Sequence, residues 1–234
     1  MTASACESTE SESAKIARQA GAAEVTSTLK LGAANRDVHV SNVTLVSGAG
    51  RKAVAVKLTS SSARTQREVP LLVKVTGAGG KVVYSNSTGA EALLSHVTLL
   101  RAHSSTWWVD DEVLSSGAAS TAKVSVGTAK RSQPDAAAAA LSAATTHVAE
   151  LAGTTTVSGA VANHTGKVQS RVPVFAVAVR GGKVVAAGRA VVASVPVRAS
   201  APASFDIPLV GDATGAKIEL TALPGAAAAG GGLK

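Results

Sequence analysis

Residues 69–83 read VPLLVKVTGAGGKVV, and residues 172–185 read VPVFAVAVRGGKVV. The Val-Pro pairs lie 103 positions apart and the GGKVV pentads 102, so one residue is lost in the turn, where length changes are tolerated best. Upstream of each match stands a second pair of similar segments, AVAVKLTSSSARTQ (53–66) and TVSGAVANHTGKVQ (156–169). Both alternate apolar with polar residues and then enter a small polar turn. Repetition at about 100 residues implies two copies of one domain, because solenoid units run to about 20–50.

Each copy reads as short strands. Alternation places Val69, Leu71, Val73 and Val75 on one face, with Pro70, Leu72, Lys74 and Thr76 on the other. Gly77-Ala78-Gly79-Gly80 supplies the positive-φ residues of a hairpin, and Lys81 to Tyr84 returns. The second copy repeats this from Val172 to Val179, with a tight Arg180-Gly181-Gly182 turn and a return through Lys183 to Ala186. Phe205, Ile207 and Leu209 alternate with Asp206 and Pro208; Ile218 and Leu220 alternate with Lys217, Glu219 and Thr221. Turn signals every 8–12 residues or so and β-branched strands predict antiparallel sandwiches. No glycine-rich strand-to-helix crossover indicates a parallel nucleotide-binding sheet. The fold class expected is all-β: two tandem antiparallel immunoglobulin-like β-sandwiches, residues 24–127 and 147–224, each closing its own small aliphatic core.

Between them, 128–146 is expected as a linker. Within 134–151, PDAAAAALSAATTHVAEL, the Ala run has high helix propensity and comes after a Pro, so a short helix and an extended linker are both open. Residues 1–23 form a Ser/Glu-rich leader with almost no large apolar side chain, expected as a disordered tether. Residues 225–234, GAAAAGGGLK, are expected as a disordered tail.

The second copy resembles the FxLYD-type domains of secreted and membrane-tethered bacterial proteins. The residues that carry the likeness are Val157 to Asn163, Val174 to Val179, Gly181-Gly182-Lys183-Val184-Val185, and Phe205-Asp206-Ile207-Pro208-Leu209. The literal Leu-Tyr-Asp element is not in this stretch, and the first copy looks like a divergent relative. The resemblance implies a module outside the cytoplasmic membrane, with accessory or binding roles and no catalysis.

The leader adds an address. Ala3-Ser4-Ala5-Cys6 places small residues before the only cysteine, which resembles the lipobox of bacterial lipoproteins, whose thiol accepts a lipid. The usual pattern has Leu where Ala3 stands, and it needs a signal region before Met1. A removed membrane helix upstream would lead to the same side of the membrane. The other reading is an inert cysteine in a polar tail. A single Cys excludes an internal disulfide and any multi-cysteine metal site.

Composition narrows the function. Ala and Val make up about a third of the 234 residues, aromatics only 2% and charged residues 16%. The net charge is +8, yet Lys130-Arg131 is the longest basic run and other cations are scattered. Single-strand nucleic-acid binders interleave aromatic platforms with cations, so specific nucleic-acid binding is not expected.

Motifs that carry chemistry are few. His39, His96, His103, His147 and His164 show no metal-ligand spacing. No nucleophile elbow, Ser-x-x-Lys pair, Walker loop or dinucleotide fingerprint occurs. Gly77 to Gly80 has phosphate-loop character but opens no helix. No cofactor is expected. The densest segment is Trp107-Trp108-Val109-Asp110-Asp111-Glu112. Trp107, Trp108, Asp110 and Asp111 form a candidate patch for a carbohydrate or a cationic ligand, and the three acids suit calcium. The plainer reading sends Trp107 and Val109 to one face and Trp108 and Asp110 to the other, one Trp anchoring the core. Asn-x-Ser/Thr sequons begin at Asn42, Asn86 and Asn163, relevant only in a glycosylating pathway.

The expected function is a non-catalytic extracytoplasmic interaction or scaffolding protein, membrane-tethered through Cys6 or a missing upstream segment. Its partner would be another protein or a cell-envelope component. The alternative is a carbohydrate- or polyanion-binding module using Trp107 and Trp108. An enzyme would need convergent titratable groups that these spacings do not assemble.

Overall fold

Apolar alternation converts into strand after strand from Val38 to Ala222. The computed structural model describes residues 29–87, 92–115, 117–134, 141–151, 153–197 and 202–225. The 1–23 leader with Cys6, the Ala run 136–140 and the tail after Gly225 lie outside the described residues.

In the N-terminal half, β1 (Val38–Gly48), β2 (Arg51–Ser60) and β6 (Ser105–Asp110) form an antiparallel sheet in the order β1-β2-β6. Strand β3 (Arg64–Thr76) pairs with β4 (Val82–Ser85), β5 (His96–Leu100), β7 (Thr121–Val126) and β8 (Arg131–Pro134). A one-turn helix, α1 (Ala92–Ser95), leads into β5. In the C-terminal half, β9 (Leu141–Leu151), β10 (Thr154–Asn163) and β13 (Ala203–Pro208) form one sheet in the order β13-β10-β9. Strands β11 (Gln169–Arg180), β12 (Lys183–Val195), β14 (Val210–Gly211) and β15 (Lys217–Ala222) form another, ordered β14-β12-β11-β15. The expected hairpins form: β3 pairs antiparallel with β4, and β11 with β12 across Gly181 and Gly182, both at positive φ.

The pairing scheme of the first half recurs in the second. Val38 lies opposite Ser60; Leu141 and Asn163, each 103 residues on, lie opposite one another. Val56 faces Trp108, and Gly159 faces Phe205. Leu71 pairs with Val126, and Val174 pairs with Ala222. Beyond those strand ends, the Gly127 N–H donates to the Pro70 carbonyl at 2.9 Å, and the Leu223 N–H to the Pro173 carbonyl at 3.1 Å.

The cores do not divide at the halfway point. One buried cluster runs from Val54, Val56, Leu71, Val73 and Trp108 through to Phe175, Val177, Ala187, Val210 and Leu223. A second joins Val157, Val161, Val174, Ala176, Phe205 and Ile207. Strand β11 feeds both, with Phe175 and Val177 on one face and Val174 and Ala176 on the other. The expectation of two self-contained cores is therefore corrected. The reason is in the residues: at the three outward positions of β3 stand Leu72, Lys74 and Thr76, and 103 residues later β11 carries Phe175, Val177 and Val179. An apolar outer face must be covered, and the sheet β1-β2-β6 helps to cover it.

Of the stretch expected as a linker, 128–146, residues 131–134 and 141–146 are strand. Strand β8 pairs with β3 from Arg64 opposite Pro134 to Arg67 opposite Arg131. Strand β9 starts at Leu141, so of the two open forms the chain takes the extended one from that point. Thr145, Thr146 and Val148 favour extended backbone, and β9 supplies a ladder to the whole of β10.

Candidate functional site

Alternation along β6 separates its two indoles, as the residue order predicts, but both are covered. Trp107 is 6% exposed and Trp108 fully buried. Trp108 points toward α1, where its Nε1 donates to the Leu93 carbonyl at 3.3 Å. Trp107 points the other way, into the C-terminal half, and its Nε1 donates to Glu219 Oε2 at 2.8 Å. Lys57, its cross-strand partner, holds Nζ 5.4 Å from the Trp107 ring centroid. Neither indole presents an open ring on which a sugar could stack.

The acids after the indoles also diverge. Asp110 is fully buried at the end of β6. Its Oδ2 accepts from the Tyr84 hydroxyl at 2.6 Å and its Oδ1 from the Glu112 backbone N–H at 3.1 Å. Burial pushes the Asp110 carboxyl up to about 6 against the pull of those two donors, and neighbouring Asp111 adds to the rise. The same burial, with the Asp110 charge, raises the Tyr84 phenol.

Asp111 and Glu112 face across to β12. Arg189 Nε donates to Asp111 Oδ1 at 3.3 Å and Arg189 Nη2 to Glu112 Oε1 at 2.7 Å. The Arg189 side chain is 6% exposed and that of Asp111 8%, so this ion pair is desolvated. Arg51, at the start of β2, lies 3.7 Å from Asp111 Oδ2 on the wetter side. The three acids thus engage a phenol and two guanidiniums in two directions and do not converge as a calcium cage would. Among the described residues, no three or more His, Cys, Asp or Glu side chains are grouped to hold a metal ion.

Beside this turn lies a cleft of about 340 Å³ lined by Gly50, Arg51, Lys52, Asp111, Val113 and Leu114. Leu114 stands out into solvent beside it. Of the patch expected from sequence, Asp111 lines this cleft.

Sequence reasoning missed several participants, Tyr84, Glu219 and Arg51 among them, and two carry a signal of their own. Arg189 is the one charge in the run AAGRAVV, and a lone cation inside an apolar strand is the signal of burial with a partner. Asn86 is the other. Its Oδ1 accepts from Val73 N at 2.8 Å, and its Nδ2 donates to the carbonyls of Leu71 and Leu94 at 3.0 and 2.7 Å. Both sequon residues Asn86 and Asn163 are buried with their amides engaged, whereas Asn42 is exposed.

No protein-family model matches the chain, and no curated protein is significantly similar to it.

Proposed function

We propose that the protein is a non-catalytic interaction or scaffolding module of the cell envelope. In this reading it comprises two immunoglobulin-like sandwiches in tandem, the second FxLYD-type and the first a divergent copy, held at the membrane through Cys6 or an upstream segment. The observation that carries the reading is the recurrence of strand pairing between the halves, with Val38–Ser60 and Pro70 matched 103 residues on and the donors to Pro70 and Pro173, Gly127 and Leu223, 96 apart. An Ig-like sandwich packs two antiparallel sheets by their inner faces, and the β1-β2-β6 and β13-β10-β9 sheets are matching three-stranded layers.

Ala53, Ala55 and Lys57 on β2 face the second half, and the matching positions on β10 are Thr156, Ser158 and Ala160. A body whose halves share a core, with no convergent reactive groups among the described residues, serves positioning better than chemistry.

The test is fractionation of producing cells. The reading expects the chain in the envelope fraction, released by Cys6→Ser where the cysteine is the anchor and retained where an upstream segment is. A chain that stays in the soluble cytoplasm with or without Cys6 would overturn the assigned address. Loss of a co-purified envelope partner on changing Lys52 and Leu114 would assign the role to the cleft.

A further inference from the structure

We propose that the Asp110–Glu112 turn is a proton-responsive clasp between the two halves, firmer when Asp110 is protonated. The clasp has two parts. Asp111 and Glu112 reach across the seam to Arg189, which closes it. Asp110 holds the turn in the shape that aims them, through Tyr84 on β4 and the Glu112 N–H. Asp110 is a positioning residue: it touches nothing in the second half by hydrogen bond, yet sets where its two neighbours point.

The charges around it are unevenly matched. Facing Asp110 are the Tyr84 phenol from β4, Asp111 and Glu112 from its own turn, and Arg189 from β12. Strand β2 presents Val54 beside it, and Arg51 reaches Asp111. Among the described residues the buried Arg189 Nη1 has no hydrogen-bond partner, so the guanidinium draws its compensation from Asp111 and Glu112. An ionised Asp110 is a third negative charge, desolvated, beside two acids that already engage that cation. A neutral Asp110 still accepts from Tyr84 and from Glu112 N–H; it sheds the desolvation of a buried charge and the repulsion with Asp111, and these outweigh the attraction to Arg189 that it gives up. Burial as the main cause of its raised pKa, about 6, places this exchange within the range of mildly acidic compartments.

Hydrogen exchange of the full chain tests the clasp, read in peptides covering 105–115 and 183–195 and corrected for the intrinsic pH dependence of exchange. Linkage to one proton sets the expected size: opening of the seam rises by up to about tenfold per pH unit between about 4 and 6 and levels off above that. Asp110→Asn should abolish the dependence, and Tyr84→Phe, which removes a donor that favours the charged form, should move it to higher pH. Protection that ignores pH in the parent chain, or an Asp110→Asn variant with the parent's pH profile, overturns the proposal. Should Asp110→Asn fail to fold, carboxyl-carbon NMR of the parent chain decides: an Asp110 midpoint near 6 supports the clasp, and one near 4 removes it.

Discussion

Glu68 and Arg171, 103 residues apart, both hold left-handed backbone, with φ of 51° and 50°. Each stands just before a Val-Pro pair and each is skipped by its ladder, which runs from Arg67 to Val69 in one case and from Ser170 to Val172 in the other. A non-glycine residue pays about 1–2 kcal/mol to sit there. The same left-handed residue at an in-register gap of the ladder in two places marks a shared backbone design, kept although Glu and Arg have nothing chemical in common.

Glycine relieves that strain. Glu68→Gly should stabilise the chain by about 0.5–1 kcal/mol, because its ion pair with Lys130 is long at 3.7 Å and exposed enough to contribute little. A shift of the urea midpoint upward checks this; a downward shift would mean the Glu68 side chain matters more than its backbone.

The indoles should differ sharply. Trp108→Ala removes the largest fully buried side chain and should cost about 3–5 kcal/mol. Trp107→Phe keeps a ring in the seam and loses the bond to Glu219, so about 1–2 kcal/mol is expected. Equilibrium denaturation followed by circular dichroism distinguishes them without relying on indole fluorescence.

Much of this is legible in the residues. The period-two faces of β3, the two hairpins and the split of Trp107 from Trp108 come from alternation and glycine placement alone. The shared core is harder to read. In β11 the run VPVFAVAV hides its period because both faces are apolar, which signals burial on two sides but not what covers each. Strand β9 is obscured by the neighbouring Ala run, whose helix propensity competes with the extended preference of Thr145, Thr146 and Val148. Arg189 lies 77 residues or more from its acidic partners, a distance no local pattern spans.

Breaking the buried ion pair should be costly. Arg189→Met leaves Asp111 desolvated with only Arg51 nearby, and about 3–5 kcal/mol is expected. Arg51→Ala, at a side chain 45% exposed, should cost less than about 1 kcal/mol. Comparable losses for both would place the charge balance of the seam elsewhere.

The pH dependence has a definite sign. Asp110 carries a folded pKa of about 6 against 3.8 for the free side chain. Its contribution is fully present below about pH 4 and is lost as the pH rises through 6. Between pH 7 and pH 5 the parent chain should gain stability relative to Asp110→Asn, toward a limit of about 2–3 kcal/mol. Denaturation midpoints measured at half-unit steps check the sign; a gain on raising the pH would contradict it.

Gly48 and Gly211 meet across the seam. A Cβ on Gly48 would lie 2.6 Å from the Gly211 backbone nitrogen, so Gly48→Ala must push β1 from β14. About 1–3 kcal/mol of destabilisation is expected.

The shared core is tested most directly by asking whether the halves unfold together. Hydrogen-exchange mass spectrometry across a urea series reads peptides from 38–126 and from 141–222 in the same sample. A core that runs from Val54 to Phe175 predicts one midpoint for both sets. Two separated midpoints, with the second half surviving the loss of the first, would show that each half closes on itself.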